Sequence, residues 1–209
     1  MQHLEEDPCE HFFTDENMQG LADRGYLVLE NALPRARITS LRDDSLNKRA
    51  EGLFKQAGID QGKGYRMATD TRSDMIHWWD PQGLDPVQQR CWRFVQCLRQ
   101  QLNRHMFLGL LDVELHYAIY PPGAFYGKHV DQFRGNNLRK VSLVLFLNDT
   151  WEPEDGGQLR QYETQGPGYR DVLPLGGTLA LFYSDLVPHE VLPTRRERLS
   201  LTGWLKIRP

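Results

Sequence analysis

The chain is poor in cysteine, with three in 209 residues, so that one is left over however the others pair. Cys91 and Cys97 lie six residues apart in a helical pattern, on poorly matched faces for a bridge. Structural disulfides are rare in reducing compartments, and this cysteine usage favours such a compartment. We therefore expect a cytoplasmic protein.

Long apolar runs, a secretion signal and a strong excess of charge are also missing from the sequence. No apolar run reaches the ~18 residues that a membrane-spanning helix needs. The start, MQHLEEDPCEHFF, has no basic region followed by an apolar one, so we expect no signal peptide. The net charge of -3 gives no electrostatic reason to expect a nucleic acid or an anionic membrane as partner.

The length suits one well-buried domain and is too short for two large ones. Residues 1–13 are predicted to form a polar tail, and residues 14–209 a single domain that we expect to be monomeric. In the helical half, 14–110, three segments carry apolar residues at helical spacing. They end at Gly25, at Gly58 and near Phe107. YLVLE is predicted to be a strand, and the segment between the second and third helices a loop or hairpin.

From residue 111 the apolar period changes from helical to two. Short strands follow one another, separated by clusters of Gly, Pro, Asn and Asp. A helical first half and an all-β second half, 111–209, predict an α+β fold. We expect the N-terminal helices to pack on one face of an antiparallel sandwich or barrel.

The stretch YGKHVDQF places His129 and Asp131 two positions apart, so both side chains leave the same face of an extended backbone. His189 follows sixty residues later in the same β half. Two imidazoles and one carboxylate on one face leave further coordination positions open, which is the pattern of non-haem Fe(II) sites that activate oxygen. A pair H-x-D alone is weakly specific, and taken by itself it is better explained by a turn pair at a strand end.

Arg198 strengthens the metal interpretation. It comes nine residues after His189, in the last long strand, and shares its parity with Ser200, Thr202 and Trp204. An inward-facing arginine requires an anion, and its planar guanidinium suits a carboxylate. The four residues together therefore favour an iron site with an anionic cosubstrate.

These residues resemble the Fe(II)/2-oxoglutarate-dependent dioxygenases, whose core is a double-stranded β-helix, or jelly roll. The resemblance covers about residues 20–207. It extends to the prolyl hydroxylases that act on hypoxia-inducible factor, and most closely to bacterial enzymes of that type acting on elongation factor Tu. Five stretches carry it: RSDMIHWWD, YPPGAFYGKHVDQF, LVLFLNDTW, DGGQLRQY and LFYSDLVPHEVLPTRRERLSLTGWL.

The resemblance implies a role for each matching residue. His129, Asp131 and His189 would bind Fe(II), and Arg198 would bind the distal carboxylate of 2-oxoglutarate, these four forming the catalytic set. Tyr120 and Thr202 would line the cosubstrate pocket. The remaining residues would contact the substrate: three bordering the target proline (Tyr126, Arg139, Trp204) and three in a mobile loop over the peptide (Arg72, Asp74, Trp78).

Phe146 departs from the family pattern. Human-type enzymes carry a tyrosine at this position, and its hydroxyl helps the arginine to bind the cosubstrate. We expect the missing hydrogen bond to come from Ser142 or Thr202.

The sequence alone does not decide which face of the strand LHYAIY is turned to the protein core. His116, Ala118 and Tyr120 share one face, an unusual set for a simple core. The alternative is that this face meets solvent and that the opposite one is the core (Val113, Leu115, Tyr117, Ile119).

The expected reaction is hydroxylation of a prolyl residue, at C4, in a partner protein, with elongation factor Tu as the expected substrate. Fe(II), 2-oxoglutarate and O2 would be required, succinate and CO2 would be co-products, and ascorbate would support turnover. A dioxygenase acting on a free amino acid or small metabolite would keep the same four residues. A non-catalytic metal-binding jelly roll would have no need of Arg198.

Overall fold

The computed structural model describes residues 9–58, 71–132 and 138–208. Within them the helices are α1 (Asp15–Arg24), α2 (Arg35–Ala50) and α3 (Pro86–Met106). The strands are β1 (Tyr26–Leu29), β2 (Lys55–Gln56), β3 (Met75–Trp78), β4 (Asp112–Tyr120), β5 (Tyr126–His129), β6 (Arg139–Phe146), β7 (Leu159–Tyr162), β8 (Tyr169–Val172), β9 (Leu179–Tyr183), β10 (His189–Val191) and β11 (Arg198–Lys206). Short 3-10 helices lie at Glu10–Phe12 and Pro153–Asp155.

The strands form two antiparallel sheets. The larger has seven strands in the order β1-β9-β6-β11-β4-β3-β2, and the smaller has four in the order β5-β10-β7-β8. From β4 to β11 the chain passes back and forth between the two sheets, with β7 and β8 as a hairpin within the smaller one, which is the winding of a double-stranded β-helix. The predicted α+β class and jelly-roll core are confirmed.

The helices cover one face of the seven-stranded sheet. Apolar side chains of α1, α2 and α3 share one continuous core with every second residue of the central strands. The apolar stripe of α3 lies in this core (Cys91, Phe94, Val95, Leu98, Leu102). Asp85 accepts hydrogen bonds at the start of α3 and Pro86 occupies its first turn, while α1 ends at Gly25, as its pattern predicts. Among the residues that the structure describes, no helix combines the length and apolar character needed to cross a membrane.

Helix α2 ends earlier than its pattern predicts. The last helical residue is Ala50, and Gly52 follows with a φ of 75°, a left-handed conformation that favours glycine. Gly52, not Gly58, is therefore the residue that stops the helix. The chain then enters β2, which pairs with β3 as one arm of the predicted hairpin. The segment between them, 59–70, lies outside the described residues.

The start of the chain differs from the predicted polar tail. Cys9 and Phe13 are buried in the main core, and a disulfide joins Cys9 to Cys97 of α3. Residues 88 apart give no local geometric signal of pairing, so the sequence pattern did not indicate this bridge. The inference of a reducing compartment from cysteine usage therefore loses its basis. The part of the tail from Cys9 onward belongs to the folded body.

Candidate active site

A cavity of about 940 Å³ opens between the two sheets. Its walls carry His129, Asp131 and His189, together with Arg198. Most of the other predicted site residues also line it (Arg72, Trp78, Tyr120, Tyr126, Arg139, Thr202, Trp204). The structure thus brings residues from distant parts of the chain into one place.

Strand pairing places the three candidate metal ligands together. His129 ends β5 and His189 begins β10, and the two residues lie directly opposite each other in the antiparallel register. Asp131 follows β5 by two residues. His129 Nε2 lies 3.4 Å from Asp131 Oδ1, and His189 Nε2 lies 3.6 Å from Asp131 Oδ2. The ligand atoms all lie within 4.8 Å of one another, close enough to share one metal ion.

Neighbouring groups fix the orientation of these ligands. Nδ1 of His129 donates to the Gly127 carbonyl oxygen at 2.7 Å, and Nδ1 of His189 donates to that of Val187 at 3.1 Å. A carbonyl oxygen can only accept, so each Nδ1 carries the proton and each Nε2 keeps its lone pair for a metal. The Ser142 hydroxyl donates to Asp131 Oδ2 at 2.6 Å.

The protonation states also suit a cation. Burial lowers the pKa of His189 to about 4, so this imidazole is neutral at neutral pH, the form that binds metals. Burial alone would raise the pKa of the Asp131 carboxyl. The adjacent imidazoles of His189 and His129 and the hydrogen bond from the Ser142 hydroxyl outweigh it and hold that pKa well below its usual range. The carboxylate is therefore ionised and available as a ligand.

Arg198 begins β11 and is 1% exposed. Its Nε donates to the Gly157 carbonyl oxygen at 2.8 Å, and its Cζ lies 4.8 Å from the Tyr120 ring centre and 5.0 Å from that of Phe146. Gly157 has a φ of 66°, and a Cβ there would lie 3.1 Å from Arg198 Cδ, so glycine suits this contact. In the described parts of the chain no carboxylate pairs with this guanidinium. Burial lowers its pKa, a cost that a bound anion offsets.

One wall of the cavity is aromatic. It lies along β4 and β11, at the end of the cavity opposite Arg198. The rings of His116, Trp78 and Trp204 form one cluster, with ring centres 4.6 Å (His116–Trp78), 5.4 Å (His116–Trp204) and 5.9 Å (Trp78–Trp204) apart. The Arg139 guanidinium lies 3.4 Å from the Trp204 ring centre. Trp78 is 43% exposed and marks the mouth of the cavity.

Arg72 and Asp74 form a buried pair. Arg72 Nε and Nη2 donate to the two carboxylate oxygens of Asp74 at 2.7 and 2.6 Å, and Asp74 is fully buried. The guanidinium stacks over Tyr126 at 4.2 Å, and Tyr126 stacks on His129 at 3.7 Å. The contact of Asp74 with substrate stays a prediction, since its carboxylate is paired with Arg72 here and is not among the groups that line the cavity. Arg72 and Trp78 do line it.

Comparison with known proteins agrees with this geometry. Residues 115–206 match the 2OG-Fe(II) oxygenase superfamily. A Pseudomonas putida prolyl-4-hydroxylase structure is 41% identical, with a TM-score of 0.82, over 91% of this chain and 97% of that one. The chain belongs to the 2OG-Fe(II) oxygenase superfamily.

Two further members of the superfamily extend the comparison to animals. The Trichoplax adhaerens prolyl hydroxylase, solved with a hypoxia-inducible factor peptide fragment, is 25% identical, with a TM-score of 0.78, over 91% of this chain and 87% of its own. Mouse Egl nine homolog 1 is 36% identical over 189 residues, which are 86% of this chain and 46% of the mouse protein. The chain spans about half or less of the length of the curated relatives it matches.

Oxygenases of this superfamily use Fe(II), 2-oxoglutarate and O2, and the residues present fit all three. Two imidazoles and one carboxylate form the donor set that suits Fe(II). A buried guanidinium without a carboxylate partner, in the same cavity, suits the distal carboxylate of 2-oxoglutarate. The metal ligands and Arg198 therefore stand as proposed cofactor contacts.

Ser142 and Thr202 are the residues expected to replace the hydrogen bond that Phe146 cannot make. Ser142 is not among the residues that line the cavity. Its hydroxyl contacts Asp131 and, at 2.9 Å, the Ser184 hydroxyl, so it is placed to orient the carboxylate of this candidate ligand, and its contact with the cosubstrate stays a prediction. Thr202 lines the cavity and contacts Ser200 Oγ at 3.2 Å, while Ser200 Oγ lies 3.4 Å from Arg198 Nη1. These two hydroxyls are the ones placed to complement Arg198. The sequence indicated only that Ser200 shares a face with Arg198, not that its hydroxyl contacts it.

Proposed function

We propose that this protein hydroxylates a prolyl residue, at C4, in a partner protein, with consumption of 2-oxoglutarate and O2 and release of succinate and CO2. The observation that carries the proposal is that one open cavity holds the His129, Asp131 and His189 cluster, the buried Arg198 and an aromatic wall at its mouth. The first two parts suit the cosubstrate, and the third leaves room for a substrate.

Different residues of the cavity would have different roles in this reaction. Arg198 would bind the distal carboxylate of 2-oxoglutarate, and its Gly157 contact would hold the guanidinium in place. The metal ligands would present open positions toward the cavity, with Ser142 holding Asp131 in its orientation. When bound, Fe(II) would supply the oxidising chemistry that breaks a prolyl C–H bond. Leu159, Val191 and Val144 give the inner wall an apolar surface that excludes water.

A protein substrate fits the mouth of the cavity better than a small metabolite does. Three exposed apolar side chains border the opening (Leu53, Trp78, Val130), each more than 40% exposed. A polypeptide that enters at one residue would cover them on both sides, whereas a free amino acid would leave them in water. The Trichoplax enzyme, solved with a peptide fragment, gives a precedent among the relatives.

We propose to test elongation factor Tu first as the partner. The sequence resembles most closely the bacterial prolyl hydroxylases that act on this factor. An encounter with this factor requires the cytoplasm, and we propose that compartment for the enzyme.

The test is intact-mass measurement of purified elongation factor Tu after incubation with the protein, Fe(II), 2-oxoglutarate and ascorbate. The expected result is a gain of one oxygen atom, mapped to a single proline by peptide fragmentation and assigned to C4 by comparison with hydroxyproline standards. Succinate should form in equal amount. The gain should disappear without 2-oxoglutarate, and a parallel reaction without ascorbate shows whether it supports turnover.

Two outcomes would contradict the proposal. Rapid succinate formation with free proline or another metabolite, and none with proteins, would favour the small-molecule alternative. Metal binding without any 2-oxoglutarate turnover would favour a non-catalytic module. His189→Ala serves as the inactive control in each reaction, because it lacks one proposed ligand and keeps the rest of the cavity wall.

A further inference from the structure

His116 is a buried histidine that no part of the proposed reaction uses. It lies in β4, is 3% exposed, and its ring forms part of the cavity wall in contact with Trp78 and Trp204. Its Nδ1 has no hydrogen-bond partner in the part of the chain that the structure describes. A buried imidazole left without a partner is unfavourable unless another molecule supplies one.

The indole of Trp204 has the same property. Its Nε1 is buried and has no hydrogen-bond partner among the described residues, and the ring stacks on His116 with an interplanar angle of 27°. An indole N–H can only donate. Two adjacent polar rings in one wall of the cavity therefore lack protein partners.

The immediate surroundings keep His116 neutral. Burial, with the charges of Arg72 and Arg139, lowers its pKa to about 3 against the opposing charge of Asp131. A neutral imidazole carries one N–H donor and one acceptor nitrogen. The next residue of the same strand, Tyr117, faces the opposite way, and its hydroxyl donates to Asp44 at 2.7 Å. On β4, the polar side chain on the helix-facing side therefore has a hydrogen-bond partner, whereas the one on the cavity side does not.

His116 can act as a hydrogen-bond donor or as an acceptor, and the chemistry of the expected substrate decides between the two. A prolyl residue within a chain has no N–H, so its main chain offers only carbonyl oxygens. An extended segment around proline keeps these carbonyl groups without internal hydrogen bonds. A donor on the cavity wall is therefore the complementary group.

We propose that His116 is a specificity-determining residue, whose N–H donates a hydrogen bond to a main-chain carbonyl oxygen of the protein substrate beside the target proline. The inference rests on the proposed function, since it takes the occupant of this wall to be a prolyl segment.

The experiment uses a peptide that spans the hydroxylated proline of elongation factor Tu, with wild-type protein, His116→Leu and His116→Gln. Leucine removes the hydrogen bond, whereas glutamine keeps an N–H donor of similar reach. We expect His116→Leu to raise the peptide KM, and the peptide Kd of the Zn²⁺-loaded protein, about tenfold, the loss of one hydrogen bond. Its kcat and 2-oxoglutarate KM should stay near wild type. His116→Gln should recover most of the affinity.

A second measurement keeps the test valid if His116→Leu folds poorly. Peptides in which one carbonyl near the proline is replaced by a thioamide, a weaker acceptor, are titrated against wild-type protein and His116→Gln. One position should weaken binding to both proteins. The same position should have no effect on binding to His116→Leu where that variant folds, because the hydrogen bond is already lost. His105→Leu, at the exposed end of α3, is the control for loss of a histidine as such.

Three results would overturn the inference. An unchanged peptide KM in His116→Leu would show that no such hydrogen bond forms. Equal weakening in His116→Leu and His116→Gln would assign the effect to ring stacking. If no single carbonyl replacement by a thioamide weakened binding, no hydrogen bond to a main-chain carbonyl would be present. Failure of the proposed function is seen separately, because wild-type protein would then hydroxylate no proline at all, and the inference would fall with it.

Discussion

The two faces of the seven-stranded sheet have opposite chemistry although they share the same strands. On β4, β6 and β11, the helix-facing side chains are all apolar apart from Gly203 and Tyr117, whose hydroxyl is bonded to Asp44. The side chains that face the smaller sheet include charged and hydrogen-bonding groups (Ser142, Arg198, Ser200, Thr202, His116). All of these except Thr202 are buried.

This difference assigns separate physical roles to the two faces. The helix-facing side removes apolar surface from water, which is the main favourable contribution to folding. The opposite side holds buried polar groups whose partners are incomplete, and these reduce stability until a ligand binds. Substitutions on the first face should therefore change the free energy of unfolding, and those on the second should change binding and turnover.

The largest expected effect is on the ligand side. His189→Ala removes one of three proposed metal ligands, and we expect turnover to fall more than ~100-fold, beyond the loss typical of groups that only support a ligand. Metal binding measured by calorimetry should weaken in parallel, while the thermal unfolding midpoint of the metal-free protein stays close to wild type. Wild-type turnover in this variant would break the assignment of the triad.

Arg198→Ala tests whether the unpaired guanidinium is reserved for an anion. Removal of one partner from a buried charged pair costs about 2–5 kcal/mol, so the KM for 2-oxoglutarate should rise at least ~30-fold. The metal affinity should not change, because Arg198 is not among the groups close to the triad. A KM within threefold of wild type, by steady-state succinate assay, would place the anchor elsewhere.

Leu201→Ala is the matched test on the helix-facing side of the same strand. Leu201 is fully buried in the core shared with the helices, and its truncation should lower the free energy of unfolding by about 2–5 kcal/mol. Urea unfolding followed by circular dichroism measures this loss. Turnover per folded molecule should remain near wild type. A strong loss of turnover with unchanged stability would contradict the division between the faces.

Ser142→Ala refines the comparison, since it removes a hydroxyl that contacts a proposed ligand without contacting the cavity. Loss of such a supporting hydrogen bond typically weakens metal affinity about 10–100-fold. We expect a value in that range by competition with a metal-binding dye. Ser184→Ala is the control, because its hydroxyl reaches Asp131 only through Ser142, and its effect should be smaller.

The smallest expected effect is a pH dependence of stability from His116. The unfolded chain has the ordinary pKa of 6.5 for this group and the folded protein about 3, so unfolding takes up a proton between these values. Stability is therefore complete above pH 6.5 and falls as the pH decreases, by about 1.4 kcal/mol per pH unit. Urea unfolding of metal-free protein at pH 7 and 5 should show about 2 kcal/mol more loss in wild type than in His116→Gln. Equal losses would mean that His116 is protonated in the fold.

Much of the architecture could be predicted because it depends on local periodicity. The period-two strands, the α3 stripe and the change of pattern at residue 111 all have local physical causes, and β4, β6 and β11 were found. Strand β8, Tyr169–Val172, was missed because its residues are mostly polar and lie at the edge of the smaller sheet. Parity alone could not orient β4, because both of its faces are buried.

The site was predictable where the residue types are characteristic of a chemistry. His129, Asp131, His189 and Arg198 have few common alternatives once they are taken together. The Arg72–Asp74 pair and the Ser142–Asp131 bond were not found, because charged and hydroxyl residues are usually solvated and only tertiary packing buries these. The Cys9–Cys97 bridge is non-local for the same reason.

The opposed positions of His129 and His189 have a consequence for the smaller sheet itself. Its four strands have only three or four residues each, and β5 contacts the rest of this sheet through β10 alone. A metal held by both histidines and Asp131 acts as a cross-link between these strands and lowers the frequency of local opening. Amide hydrogen exchange in β5 and β10 should therefore slow when metal is added, while α3 exchanges at an unchanged rate. A molecule deprived of iron would lose activity and, at this sheet, also its resistance to proteases.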